Sequence, residues 1–169
     1  YKVIVLSPKS LETIDQYKTL LTDRQRDEYK AEVRAVRAMF YYYAMDMFGR
    51  IPILESTAQK TADIRQSERS EVFSYIVNEL QTVAPLLPLE HSNLQGNYYG
   101  RVTRPVAWFL LAKLALNAEV YTDNDWTDSS RPDGKMILFD IDGTQKNAWQ
   151  TCVHYCDLIS QILPKRARF

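Results

Sequence analysis

Two stretches of this chain read as long helices closed by abrupt turns, and they restrict the fold more than any other feature. The first is Glu32-Val-Arg-Ala-Val-Arg-Ala-Met-Phe-Tyr-Tyr-Tyr-Ala-Met-Asp-Met-Phe-Gly-Arg-Ile-Pro52. Thr22 or Asp23 caps the start of this helix. Val33, Val36, Met39, Phe40, Tyr43, Ala44 and Met47 follow at steps of three and four, which predicts an inward face. Gly49 supplies the turn that ends it, and Pro52 blocks continuation. The second stretch runs from Gly100 to Tyr121. Thr103, with Pro105 in the first turn, opens that helix. Trp108, Phe109, Leu110, Leu111, Leu114, Ala115 and Leu116 cover most of its circumference, so it belongs between neighbours.

The remaining elements follow the same pattern. Leu11, Ile14, Tyr17, Leu20 and Leu21 predict a helix over 10–21, after Pro8. Residues 53–66 read as a surface connection. Ser67 or Ser70 then starts a helix whose stripe is Val72, Phe73, Ile76, Val77, Leu80, Val83 and Ala84, closed by Pro85 and Pro88. Residues 89–100 form a polar loop. Residues 122–146 form a long insertion in which 135–143 makes a strand or hairpin arm. A fifth helix spans 148–163, with Trp149, Cys152, Val153, Cys156, Ile159 and Leu163 inward. The expected fold is all-α: tetratricopeptide-like helix pairs, 10–21 with 23–48 and 67–87 with 101–121, stacked as a right-handed array. The helix at 147–163 lacks its second member. Together with a start at Tyr1, that predicts one helical-repeat region, 1–169, inside a larger domain.

Charge and composition exclude some functions. Lys+Arg and Asp+Glu are both 21, so net charge favours neither nucleic acid nor an anionic membrane surface. No run is long and apolar enough to span a bilayer. Cys152 and Cys156 share a helix face on which a bridge has poor geometry, and they read as small buried residues. His91 and His154 are the only histidines, and no zinc-protease pair, nucleophile elbow or phosphate-binding glycine loop is present. No catalytic residue, resident metal or cofactor is expected. Asp123, Asp125 and Asp128 fail the EF-hand pattern, because Asp128 stands where its glycine belongs and Gly134 where its glutamate belongs. An irregular calcium site from these three is the alternative to plain Asx turns.

Binding is the chemistry the residues favour. Long loops on rigid helical scaffolds tend to carry function. In the 122–146 insertion, Trp126 offers a flat ring, while Asn124, Asp125 and Arg131 offer partners for hydroxyl groups. Tyr98 and Tyr99 form a second candidate. Tyr41, Tyr42 and Tyr43 cannot share one helix face, so one or two enter the core and the rest face a partner.

Phe48-Gly-Arg-Ile-Pro52 after a long helix, and Gly100-Arg-Val-Thr103 before Ala107-Trp-Phe-Leu-Leu-Ala-Lys-Leu-Ala-Leu-Asn-Ala118, resemble the most recognisable stretches of the SusD/RagB family. Glu32-Val-Arg-Ala-Val-Arg37 is similar to that family's Glu/Arg-rich opening of its first long helix, and the likeness extends from about Leu11 to Leu163. Arg34 and Arg37 are expected to pair with Glu32, Asp46 or the next helix. The resemblance implies a lipid-anchored protein on the outer-membrane surface, with its anchor outside this chain. Such a protein captures a starch-like or other glycan without cleaving it and passes it to a SusC-like TonB-dependent transporter. It also implies that an N-terminal arm and a C-terminal half, both outside this chain, carry most of the sugar contacts. The rival reading is a helical-repeat scaffold for protein partners that takes no sugar; a weaker third is an accessory domain of a glycoside hydrolase.

Overall fold

The computed structural model describes residues 1–59, 62, 64–92 and 96–162. Among the described residues, six α-helices form the body: α1 (Lys2–Gln16), α2 (Asp23–Phe48), α3 (Arg69–Val83), α4 (Arg104–Leu116), the short α5 (Ala118–Thr122) and α6 (Ala148–Ile162). One antiparallel hairpin, β1 (Leu138–Ile141) and β2 (Thr144–Asn147), precedes α6 and pairs Leu138 with Asn147 through Ile141 with Thr144. The packing partners are α1 with α2, α2 with α3, α3 with α4, and α4 with α6. This is the tetratricopeptide-like stack of helix pairs expected from the sequence.

Local chemistry explains most element ends. Thr22 and Gln25 cap α2 reciprocally: the Gln25 N–H donates to Thr22 Oγ1 (3.2 Å) and the Thr22 N–H to Gln25 Oε1 (3.0 Å). Gly49, at φ +69°, closes α2 with its N–H on the Met45 carbonyl. The Ser67 N–H donates to the Ile51 carbonyl, closing off the 52–66 connection. Helix α3 starts at Arg69, not on a serine cap; Glu71 reaches back to accept the Glu68 N–H at 2.9 Å. Asn117 interrupts the fourth helix, splitting the expected 103–121 segment into α4 and α5.

Helix α1 departs from expectation. It spans 2–16 rather than 10–21, with Pro8 buried inside it. A proline there removes one helical hydrogen bond. Burial of Ile4, Ser7 and Pro8 in the contact with α2 offsets that loss, and the Ser7 hydroxyl donates to the Val3 carbonyl at 2.6 Å. Tyr17 and Leu20, expected in the helix stripe, lie exposed at and beyond its end.

The inward face of α2 is also not the one its large aliphatics mark. Ala31, Ala35, Ala38, Tyr41, Tyr42, Ala44 and Met45 are buried, whereas Tyr43 and Met47 are exposed. Alanines fill much of the buried face, and Val36, Met39 and Phe40 are half-buried against the core. Phe109 and Leu116 on α4 are likewise exposed. On α6 the buried residues are Ala148, Thr151 and Tyr155; Trp149, Val153 and Cys156 face out, and Cys152 is half-buried. Helix α6 packs on α4 and on the hairpin, and the Trp149 indole lies against Gly134. Leu163 lies outside the described residues.

Polar rungs along α2 tie it to α3, to the start of α4 and to α5. Arg34 grips Glu79 of α3 with two bonds (Nε to Oε2 3.1 Å, Nη2 to Oε1 2.5 Å), and Arg37 Nη2 adds a third at 2.7 Å. Arg37 is 5% exposed. Burial alone would raise the Glu79 carboxyl pKa, but the two guanidinium groups overturn that and hold it below the ordinary carboxylate value. Glu32 takes three bonds from Arg101 Nε and Nη2, and one from the Val102 N–H. Asp46 accepts the Tyr121 hydroxyl at 2.7 Å. Of the partners foreseen for Arg34 and Arg37, the next helix is the one they take.

Replacing Glu79 with Gln leaves Arg37 buried without its counter-charge. The expected cost is about 3–5 kcal/mol at neutral pH, read by urea unfolding. Because the folded carboxyl is depressed, its contribution is complete above about pH 4.3, the ordinary glutamate value, and is lost as pH falls through the depressed one. The gap between wild type and variant therefore narrows in acid. A gap that stays constant down to the acid transition contradicts this account.

Candidate functional site

The 123–131 loop is fastened to the start of α3. Arg69 Nη2 donates to the Asp123 carbonyl at 2.8 Å. Asn124 Oδ1 accepts the Ser70 N–H (3.1 Å), and its Nδ2 donates to Ser70 Oγ (2.7 Å). Asn124 thus serves as a cap from a distant loop for an orphan N–H of α3. Asp125 Oδ1 accepts both the N–H and the hydroxyl of Thr127, which hold its carboxyl below the usual range. Arg131 donates to the carbonyls of Trp126, Asp128 and Ser130, folding the loop around its guanidinium.

These bonds present Trp126. The Arg69 guanidinium lies 4.8 Å from the indole centroid and that of Arg131 lies 6.0 Å away, yet the residue stays 56% exposed. Below it runs an open groove of about 520 Å³ lined by the turn Phe48-Gly49-Arg50, by Glu68 and Arg69, and by Asn124, Asp125 and Trp126. Arg50 is a site residue that sequence reasoning passed over. It projects from the turn after α2, and its Nη1 bonds Glu68 at 3.3 Å. The signal was a charged residue next to a helix-ending glycine, but nothing local placed that turn beside Trp126.

Of the four loop candidates, Trp126 and Asp125 line the groove with free surface. Asn124 also lines it but uses its amide as a cap, and Arg131 holds the loop from behind. The three aspartates considered for calcium are engaged locally. Asp123, buried, accepts the Asp125 N–H and lies 3.5 Å from Arg131; Asp128 accepts the Ser130 N–H and also meets Arg131. Among the described residues, no group of three or more His, Cys, Asp or Glu converges as a metal site.

Tyr98 and Tyr99 sit elsewhere. Gly100, at φ +74°, turns the chain so that Arg101 lies over the Tyr98 ring at 5.3 Å. Tyr98 is half-buried beside a second groove of about 440 Å³ that includes Arg24, Asp27 and Glu90; Tyr99 is 70% exposed. Arg101 also bonds Glu28 near the start of α2, whereas Phe48 beside Trp126 ends it. At 1.5 Å per residue the two candidates are roughly 30 Å apart. They form two surfaces rather than one.

Known proteins match both the sequence and the fold. Residues 1–116 match the SusD-like family model described as "Starch-binding associating with outer membrane". The chain belongs to the SusD-like family. Starch-binding protein SusD of Bacteroides thetaiotaomicron is 28% identical over 139 residues, which are 82% of this chain and 23% of that protein. The crystal structure of a SusD homologue from Bacteroides thetaiotaomicron superposes with a TM-score of 0.66 at 22% identity, covering 98% of this chain and 28% of that one. A SusD-like carbohydrate-binding protein from Bacteroides vulgatus gives 0.65 at 18%, covering 99% and 31%. These structural likenesses establish the fold. The SusD-like chain therefore spans about a quarter to a third of the relatives it matches.

The capping role of Asn124 is measurable. Asn124→Ala should lower stability by about 1 kcal/mol in urea unfolding and speed amide exchange at Ser70. Unchanged exchange at Ser70 contradicts the cap.

Proposed function

We propose that this SusD-like region contributes to non-catalytic capture of a glycan at the outer-membrane surface, with the Trp126 groove as a contact site. The observation that carries the reading is Trp126 itself. Its indole is more than half exposed, is held by guanidinium groups on a fastened loop, and borders a groove offering Asp125 and Arg50. A flat apolar ring beside hydrogen-bonding side chains suits the face and hydroxyls of a pyranose. A ring already held in place loses little freedom on binding. The family description supports starch or a similar glycan, and a laminarin-binding SusD-like protein shares the fold at TM-score 0.57 and 20% identity, covering 70% of this chain and 26% of that one.

Delivery to a SusC-like TonB-dependent transporter, and a lipid anchor outside this chain, complete the proposal. No described helix is long and apolar enough to cross a membrane. The exposed Tyr43, Met47, Phe109 and Leu116 on α2 and α4 give the stack an apolar outer surface. That surface also supports the rival reading, a repeat scaffold for a protein partner.

Calorimetric titration of the intact protein with starch- and laminarin-derived oligosaccharides decides between them. Saturable binding to one glycan class, weakened roughly tenfold by Trp126→Ala, supports capture through this groove. Binding unchanged in the variant moves the contact away from Trp126. Absence of binding to every glycan favours the protein scaffold, and release of reducing sugar on incubation contradicts a non-catalytic role.

A further inference from the structure

A separate groove of about 480 Å³ lies where the end of α3, α4, the hairpin tip and α6 meet. It shares no lining residue with the Trp126 groove. Its volume falls in the range of small-molecule sites, about 300–1,000 Å³. Six side chains give it chemical character: Gln81, Arg104, Trp108, Asp142, His154 and Tyr155.

These groups are set in place by the surrounding fold. Tyr155 is 5% exposed, and its hydroxyl accepts from Gln81 Nε2 at 3.4 Å. The same nitrogen donates to the Asp140 carbonyl at 2.8 Å, fixing the amide and leaving its oxygen available as an acceptor. Burial raises the Tyr155 phenol pKa, so the hydroxyl keeps its proton. Among the described residues that proton has no acceptor. On the wall of the groove, that hydroxyl can donate to a ligand or to water.

His154 and Arg104 add donors. His154 Nδ1 lies 3.2 Å from Lys146 Nζ. Burial first, and the Lys146 charge second, push the imidazole pKa down, although Asp142 and Asp157 oppose this. The neutral ring accepts from Lys146 at Nδ1, which assigns the proton to Nε2. Arg104 uses Nε and Nη2 on the carbonyls of Leu87 and Pro85, leaving Nη1. Asp142 supplies a carboxylate from the hairpin tip, where it and Gly143 both have positive φ in a tight turn. Half-buried Trp108 provides an apolar wall.

We infer that this groove is a second carbohydrate subsite, taking a neutral pyranose against Trp108. Tyr155, His154 and Arg104 donate to its hydroxyls, and Gln81 and Asp142 accept from them. The assignment rests on the glycan-capture reading above and adds a contact surface built entirely by the helical repeats and their hairpin. From Arg69 to Gln81 along α3 is roughly 18 Å at 1.5 Å per residue, so the two grooves act as distinct contacts.

The test is calorimetry on the intact protein with maltoheptaose and laminarihexaose as probes. It compares wild type with Tyr155→Phe, which removes only the hydroxyl, and with Trp108→Leu. Thermal unfolding of each variant checks that the fold is kept. A loss of affinity of roughly fivefold to tenfold in Tyr155→Phe, with a larger loss in Trp108→Leu and an unchanged melting temperature in Tyr155→Phe, is expected. Wild-type binding that both variants leave intact overturns this subsite while leaving capture at Trp126 standing. No wild-type binding to either probe overturns the capture reading and this inference together.

Discussion

The Glu79 carboxylate, held between Arg34 and Arg37, is the constraint on which the other contacts depend. It joins α2 to α3 across a face otherwise made of alanine and aromatic side chains. Burying Arg37, and half-burying Glu79 and Arg34, is costly, and the geometry offsets the cost: one arginine is bidentate, and the other lies against Tyr75 at 5.8 Å. Once α2 and α3 are in register, the ends of both helices are fixed in space. The turn after α2 then lies beside the start of α3, where the 123–131 loop attaches. The Trp126 groove exists because those ends meet.

The same helix orders the opposite end. Glu32 captures Arg101 and the Val102 N–H, setting the direction in which α4 begins. Asp46 receives the Tyr121 hydroxyl, whose proton is retained because burial and that carboxylate both raise its pKa. The two stretches that resemble the SusD/RagB family thus bond directly to each other. Glu32, Asp46 and Arg101 are spent on these bonds and hold the scaffold together. Rigid helices carrying adaptable loops is a common arrangement for binding proteins.

Much of this fold was legible from periodicity and punctuation. The buried stripe of α3, the Thr103–Pro105 opening of α4 and the Gly49 stop all follow from local rules. The failures came where tertiary contact outweighed those rules. Pro8 suggested a boundary, but packing on α2 carries α1 through it. The large side chains of α2 suggested an inward face, but its buried positions are mostly alanines and tyrosines. Trp149, Val153 and Cys156 looked inward because a stripe does not reveal which of its flanks finds a neighbour. For the site, Trp126 and Asp125 were visible as residue types on a long loop. The roles of Asn124 and Arg131 in shaping that loop, and the presence of Arg50, depended on contacts between distant segments.

The most direct test follows the Trp126 indole. With Trp108 and Trp149 replaced by Phe, Trp126 is the sole tryptophan of the region, and its emission reports its surroundings. Should tryptophans elsewhere in the intact protein interfere, a fluorinated indole observed by 19F resonance gives the same reading. Adding a glycan that binds by calorimetry should shift the Trp126 signal saturably, with the calorimetric dissociation constant. A Trp126 signal that stays fixed while calorimetry records binding would contradict the assignment of this groove as a glycan contact.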